Sequence, residues 1–304
     1  MRYAAFDDFL AMNDELILVT GATGNTGSVV LSLLEARRAK VRAFVRRKPQ
    51  QHTGRPTTET LVGNFDDAAS LTAALEGVTR AYLVTPSSPD AEAQQIRFAE
   101  SAAAAGVRHV VKLSQFAADE ASPVRFLRYH AAVEQRIRTL GIGYTFLRPN
   151  LYFQGLLAFS SMIAGQGSFV APIGDAPVSA IDVRDIAAVA VEALTGIGHE
   201  GRTYTLTGPA AITHAQMAAK IGDAIGRPVT FVDVPPDAFA AALGSAGVPQ
   251  WQVDGLIEDY AHYARREAAE VVPAVREVTG SAPTDFSTFA RDHAAAFGAG
   301  ALVP

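Results

Sequence analysis

Residues 15–27, ELILVTGATGNTG, decide how the rest of the chain is read. An apolar run of strand type (15–20) ends in a glycine-rich turn, and an amphipathic helical pattern follows directly over 27–38. Gly21, Gly24 and Gly27 let the backbone turn sharply and come close to a ligand. Thr23, Asn25 and Thr26 fill the turn between them, and the N–H groups at the helix start meet negative charge. Glycine triplets are common in ordinary turns. In strand–turn–helix order, however, this one points to a pyrophosphate and hence to a dinucleotide.

Further apolar runs lie at 41–45 (VRAFV), 59–63 (ETLVG), 80–84 (RAYLV), 109–114 (HVVKLS) and 144–149 (YTFLRP), separated by helical patterns near 68–76, 91–105 and 124–140. That alternation predicts right-handed βαβ units. The expected class is α/β: a Rossmann-like doubly wound parallel sheet with a smaller, helix-rich C-terminal lobe. Gly106 and Gly141 fall where left-handed helix caps are needed. The expected division places 14–150 plus about 176–197 in the NAD(P)-binding domain and about 151–175 plus 198–304 in a substrate-binding lobe, with 1–13 as an N-terminal arm. Within the second half, Asp182 caps a helix running to about 194, and Thr213 with Gln216 forms a capping box closed by Gly226. Trp251, Val253, Leu256, Ile257, Tyr260 and Ala264 give one apolar face to a helix after Pro249, and a final helix covers 285–297.

The 304 residues are 49% hydrophobic and 19% charged, with a net charge of −5 and no cysteine. An acidic chain attracts neither a phosphate backbone nor an anionic membrane, so a small molecule is the expected partner and nucleic acid and membrane are not. Without cysteine there are no disulfides, thiolate nucleophiles or sulfur-ligated metals. The seven histidines are scattered, which argues against a metal site. No signal sequence or spanning run is evident, and the expected setting is the cytoplasm, as a monomer or homodimer.

At the end of the second strand an NAD enzyme places a carboxylate for the adenosine ribose. Here the strand runs out as Phe44-Val-Arg46-Arg47-Lys48. Three cations favour the 2′-phosphate of NADPH over NAD, with Arg46 first because a guanidinium engages phosphate bidentately. Asn64 and Phe65, after the third strand, are placed to flank the adenine.

GATGNTG (21–27), VRR (45–47), GNFDD (63–67), HAAVEQRIRTLGIGYTFLRPNLYFQ (130–154), SAIDVRDIA (179–187), YTLTGP (204–209) and TGSAPTDFSTFARDH (279–293) together resemble the NmrA-like branch of the atypical short-chain dehydrogenases. The resemblance implies a Rossmann-like domain, a smaller C-terminal lobe, and a nicotinamide in the cleft between them. The family includes NADPH:quinone reductases, azo-dye reductases and coenzyme-sensing regulators.

Typical short-chain reductases carry Tyr-x-x-x-Lys on a helix beside the nicotinamide. Two registers are open here. Tyr129 takes the tyrosine place with Val133 for lysine, or, in the register that keeps Glu134 and Gly141–Pro149 aligned, Phe126 stands for tyrosine and His130 for lysine. The dyad is absent in both. His130 either hydrogen-bonds the nicotinamide ribose or is held structurally by Glu134 or backbone, and Tyr129 reads as a surface residue. Open parallel sheets bind ligands beyond strand C-termini. Thr85 and Pro86, Ser114 with Gln115 and Phe116, and Pro149, Asn150, Tyr152 and Phe153 occupy such positions. Thr85, Pro86, Ser114, His130, Pro149 and Asn150 are assigned to the coenzyme; Gln115, Phe116, Tyr152 and Phe153 to the substrate; Ser114 and His130 to catalysis. Hydride addition to an ordinary ketone makes a localised alkoxide that needs an acid, whereas a quinone, azo compound, enone or imine yields a delocalised anion. The expected activity is therefore reduction of a conjugated acceptor by NADPH. The alternative is an NADP(H)-sensing regulator without turnover.

Overall fold

The computed structural model describes residues 15–48 and 58–298; the arm expected at 1–13 lies outside them. Two compact units emerge. The first comprises the described residues up to Gln115, with Tyr129–Arg148 and Ile186–Tyr204; the second comprises Phe116–Arg128, Pro149–Asp185 and the described residues from Thr205 on.

Strands β1 (Leu16–Thr20), β2 (Lys40–Val45), β3 (Thr58–Val62), β4 (Val78–Leu83), β5 (His109–Leu113) and β6 (Gly143–Pro149) precede β7 (Ser168–Ala171), β8 (Arg202–Leu206) and β9 (Thr230–Asp233). Seven form one sheet in the order β3-β2-β1-β4-β5-β6-β8. The pairings from β3 across to β6 are all parallel, in registers such as Val19 with Ala43 and Val19 with Tyr82. From β1 the chain steps outward through β2 to β3, then resumes at β4 on the other side of β1. That reversal makes the C-terminal ends of β1 and β4 the topological switch point where doubly wound sheets bind ligands.

Helices α1 (Gly27–Ala36), α2 (Ala68–Leu75), α3 (Ala91–Ala104) and α4 (Arg125–Arg138) follow β1, β3, β4 and β5. Apolar residues at helical spacing meet apolar strands. Leu71 and Leu75 of α2, Phe98 of α3, and Val133 and Ile137 of α4 join Leu18, Leu83, Val110 and Phe146 in one core cluster. Each such side chain contributes roughly 1.5–3 kcal/mol on burial. Phe126, at helical spacing from Val133 and Ile137, does not join that cluster. Its ring packs instead over Gly255, where an added Cβ would lie 2.3 Å from the Phe126 ring, and its centroid is 5.4 Å from that of Trp251.

The second unit is built around aromatic residues. After a 3-10 helix (Phe153–Phe159) come α5 (Ser160–Gln166), α6 (Val183–Thr195), α7 (His214–Ile225), α8 (Pro236–Ser245) and α9 (Gln250–Ala264), then α10 (Ala274–Thr279), α11 (Phe286–Asp292) and α12 (Ala294–Gly298). Only the first residues of α6 belong to this unit. Phe153, Phe169, Phe239, Tyr260, Phe286 and Phe289 share its core. The Thr213–Gln216 capping box forms as expected, and Gly226 ends α7 at φ 71°. Three details depart from the sequence reading. The final helix is two, parted at His293. On α9 Ala264 is exposed, while Asp259 and Tyr263 are buried with their side chains bonded at 2.7 Å. The short parallel pair β7–β9 was not anticipated, because four-residue strands leave too little periodicity to detect. No helix among the described residues is long and apolar enough to cross a membrane.

Candidate coenzyme and active site

The turn after β1 is shaped by contacts that only glycine permits. Gly21 has φ +59°, and a Cβ there would meet Val84 Cγ1 at 2.6 Å. At Gly27 a Cβ would lie 2.2 Å from the Gly21 carbonyl oxygen. The Gly24 amide donates to that same oxygen at 2.8 Å, closing the turn. Thr20 anchors it from below: its hydroxyl accepts from the Val84 amide at 2.8 Å and lies 2.9 Å from the Val84 carbonyl oxygen, tying the ends of β1 and β4 together. Thr23, Gly24 and Asn25 are exposed at the tip, and Thr26 is buried beneath them. The first turn of α1 carries no acidic side chain, so its dipole and first amides are not neutralised by the protein. A pyrophosphate fits this cradle.

Arg46, Arg47 and Lys48 are exposed where β2 ends. Arg46 makes no hydrogen bond or ion pair among the described residues. Beside it, Gly63 donates to the Val45 carbonyl at 3.0 Å, and a Cβ on Gly63 would strike Phe44 and Ser70. Asn64 is engaged in its own turn, accepting from the Asp66 amide at 2.7 Å. The Phe65 ring packs edge-on against Phe44 (5.7 Å) and near Phe98 (5.8 Å). Both residues therefore lie in the turn after β3, Asn64 exposed and Phe65 half-buried. At the end of β4, Thr85 is buried and accepts from Gln95 Nε2 of α3 at 2.8 Å, while Pro86 is exposed.

The helix where the dyad was sought holds a different constellation. β5 is buried along its whole length, yet its fourth residue is a lysine. Lys112 Nζ lies 2.7 Å from His130 Nδ1 and donates to the Leu113 carbonyl at 3.1 Å. Two residues on, and so on the same face of the strand, the Ser114 hydroxyl donates to Glu134 Oε1 at 2.6 Å. Glu134, completely buried, also receives Arg148 Nε at 2.9 Å and Nη2 at 2.7 Å, and Arg138 Nη2 at 3.1 Å. Burial alone would raise the Glu134 carboxyl; hydrogen bonds from Arg148 and Ser114, with the Arg148 and Lys112 charges, outweigh it and hold the group below its usual range. Burial lowers Lys112 to about 7, countered in part by Glu134 and reinforced by Arg148. His130 is pushed well down by burial and by the Lys112 and Arg148 charges, so the imidazole is neutral.

Several expectations change accordingly. His130 is partnered by Lys112 rather than by Glu134. The Ser114 proton is committed to Glu134 rather than to an acceptor. Tyr129 is buried, not a surface residue, and its ring lies 4.1 Å from that of His130. Lys112 was missed altogether, although a lysine inside the strand-type run HVVKLS was the available signal: a buried ammonium demands a partner.

The remaining candidates lie mostly in the second unit. Gln115, the last residue before it, is half-buried. Phe116 belongs to the second unit's core, as does Phe153, whose ring contacts Phe286 at 5.0 Å and Phe289 at 5.3 Å. With its faces taken, Phe153 is a packing residue rather than a stacking surface for a substrate. Asn150 is likewise committed. Its Nδ2 donates to Ser179 Oγ and the Ala268 carbonyl, each at 2.9 Å, and its Oδ1 accepts from the Leu151 amide. Pro149 is buried and Tyr152 half-buried.

Residues 13–289 match the model of the NmrA-like family. The chain belongs to the NmrA-like family. This NmrA-like protein is 38% identical over 286 residues to an NAD(P)H azoreductase of Xenophilus azovorans, spanning 93% of this chain and 100% of that one. It is 41% identical over 286 residues to a (4-alkanoyl-5-oxo-2,5-dihydrofuran-3-yl)methyl phosphate reductase of Streptomyces griseus, spanning 93% and 99%. Among solved structures, the NADPH-dependent quinone oxidoreductase of Escherichia coli complexed with NADPH superposes with a TM-score of 0.80 at 27% identity, over 91% of this chain and 99% of that one.

Proposed function

We propose that this NmrA-like protein is an NAD(P)H-dependent oxidoreductase that reduces a conjugated small-molecule acceptor, such as a quinone, azo compound, enone or imine, with NADPH preferred. Relatives named for azo, quinone and unsaturated-lactone reduction support the reaction class. When bound, the reduced coenzyme supplies a hydride. The chain supplies the rest: the 21–27 turn and the start of α1 hold the pyrophosphate, Arg46 meets the 2′-phosphate, and Thr85, set by Gln95, borders the sugar side of the switch point.

One observation carries the choice of acceptor. In the register that keeps Glu134 and Gly141–Pro149 aligned, the place of the dyad tyrosine is taken by Phe126, packed on Gly255 and Trp251 and unable to donate a proton. An acceptor whose reduced form is a delocalised anion tolerates the loss of that phenol, since alignment and exclusion of water then suffice together with a weaker donor. NADPH consumption measured against a panel of quinones, azo dyes, enones, imines and simple ketones tests this. Turnover with conjugated members and none with simple ketones is expected. Tight NADPH binding without turnover of any member would favour a coenzyme-sensing regulator instead.

A further inference from the structure

Lys112 is the least expected group in the first unit. It stands in a fully buried strand, and nothing in the packing requires an ammonium there. Its long chain reaches His130 on α4, the residue at the dyad lysine's place in the register that keeps Glu134 aligned. The two form a buried donor–acceptor contact at 2.7 Å. A lysine has no acceptor when charged. Donation from Nζ therefore fills the lone pair on Nδ1 and forces the ring proton onto Nε2. Nε2 has no hydrogen-bond partner among the described residues, and His130 keeps 8% exposure. The imidazole thus has one nitrogen fixed inside the protein and the other left as a donor at the C-terminal side of the sheet, where ligands of this fold bind.

We propose that Lys112 is a positioning residue for His130: it locks the Nε2–H tautomer and replenishes the proton that His130 gives to the reduced acceptor. This rests on the reductase reading above. The balance is simple. The acceptor gains two electrons and one hydrogen as hydride, leaving the coenzyme oxidised. The resulting anion takes a proton from His130 Nε2 as Nδ1 takes one from the Lys112 ammonium; solvent then protonates Nε2, and Nδ1 returns its proton to the Lys112 amine, which restores the Nε2–H ring and the ammonium. An imidazole alone, held neutral by burial, would have a single proton and no internal source for another. The charged groups acting on Lys112 are Glu134 from α4 and Arg148 from β6; those acting on His130 are Lys112 and Arg148. Glu134, closed off by Ser114 and two arginines, offsets part of the positive charge around Lys112 without competing for the His130 ring. The lowered Lys112 ammonium makes it a competent donor at neutral pH, where an ordinary lysine would release its proton reluctantly.

The experiment pairs a tautomer measurement on coenzyme-free protein with kinetics. Lys112→Met keeps the length of the side chain and removes the buried amine, and the dispersion of its NMR spectrum reports that the fold is kept. Long-range proton–nitrogen NMR of His130 reads the tautomer directly. Wild-type protein is expected to show Nε2–H, with the Lys112 ε-methylene signals titrating near neutrality. In Lys112→Met the tautomer preference weakens, kcat falls by about a hundredfold, the kcat–pH profile loses its limb near neutrality, and KM for NADPH is unchanged. His130→Gln, which keeps an amide donor without a transferable proton, should lose kcat to the same degree. An Nδ1–H tautomer in wild-type protein, or a kcat–pH profile that Lys112→Met leaves intact, would overturn the proposal. Expected NMR behaviour without turnover of any acceptor would sink the reductase reading while upholding the Lys112–His130 tautomer lock.

Discussion

The role proposed for Arg46 at the 2′-phosphate is directly testable, because the side chain is exposed and makes no hydrogen bond or ion pair among the described residues. A charge-assisted contact to phosphate contributes roughly 1.5–3 kcal/mol. Arg46→Asp is therefore expected to raise the NADPH dissociation constant about ten- to a hundredfold by titration calorimetry, leaving NADH within about twofold; equal weakening of both would remove Arg46 from the 2′-phosphate. Glu134 makes the opposite case, a residue fully committed inside the protein. Glu134→Gln leaves Arg148 facing a neutral amide, a loss on the order of 3 kcal/mol for a broken buried pair. A lower urea midpoint at unchanged m-value is the expected reading. The contribution is present above the ordinary carboxylate pKa and fades as pH falls through the depressed folded value, so wild type and variant should converge in strong acid.

At the level of elements, α1 ends on a strained position. Arg38 sits at φ 61° after the Arg37 cap, a conformation that disfavours any residue with a Cβ. Arg38→Gly should stabilise by roughly 0.5 kcal/mol, the relief of strain being offset in part by glycine's freedom in the unfolded chain; a small rise in Tm would register it. The six sheet strands from β1 to β6 and the four helices among them were legible because each repeats its apolar period over several turns or pleats. β7, β9 and α10, of four to six residues each, were not, since so few residues satisfy either period. The candidate site divides the same way. Gly21, Gly24, Gly27 and Arg46 declare themselves through local chemistry. The Lys112–His130 and Ser114–Glu134 contacts join residues 18 and 20 apart in sequence, and only the packing of α4 on β5 brings them together. Phe126 shares the helical spacing of Val133 and Ile137 yet packs elsewhere for a related reason: the first residues of α4 belong to a different packing environment from the rest.

For the whole molecule, the buried bases set how stability responds to pH. Lys112 releases its proton near 7 in the folded state and near 10.5 when unfolded. Between those values the unfolded chain binds the extra proton, so this group makes the protein more stable as pH rises, by up to about 1.4 kcal/mol per unit. Below about 7 both states are protonated and the dependence vanishes. His109 and His214, each lowered to about 4 chiefly by burial, act in the same direction between there and 6.5. Stability curves of wild type and Lys112→Met measured from pH 6 to 9.5 should diverge below about 9, the variant being flatter; parallel curves would contradict a lowered Lys112. The exposed cations after β2 stand apart from all of this, since no described element leans on them. Replacing Arg46, Arg47 and Lys48 therefore carries little structural risk, and a change of preferred nucleotide could be engineered there while the scaffold stays put.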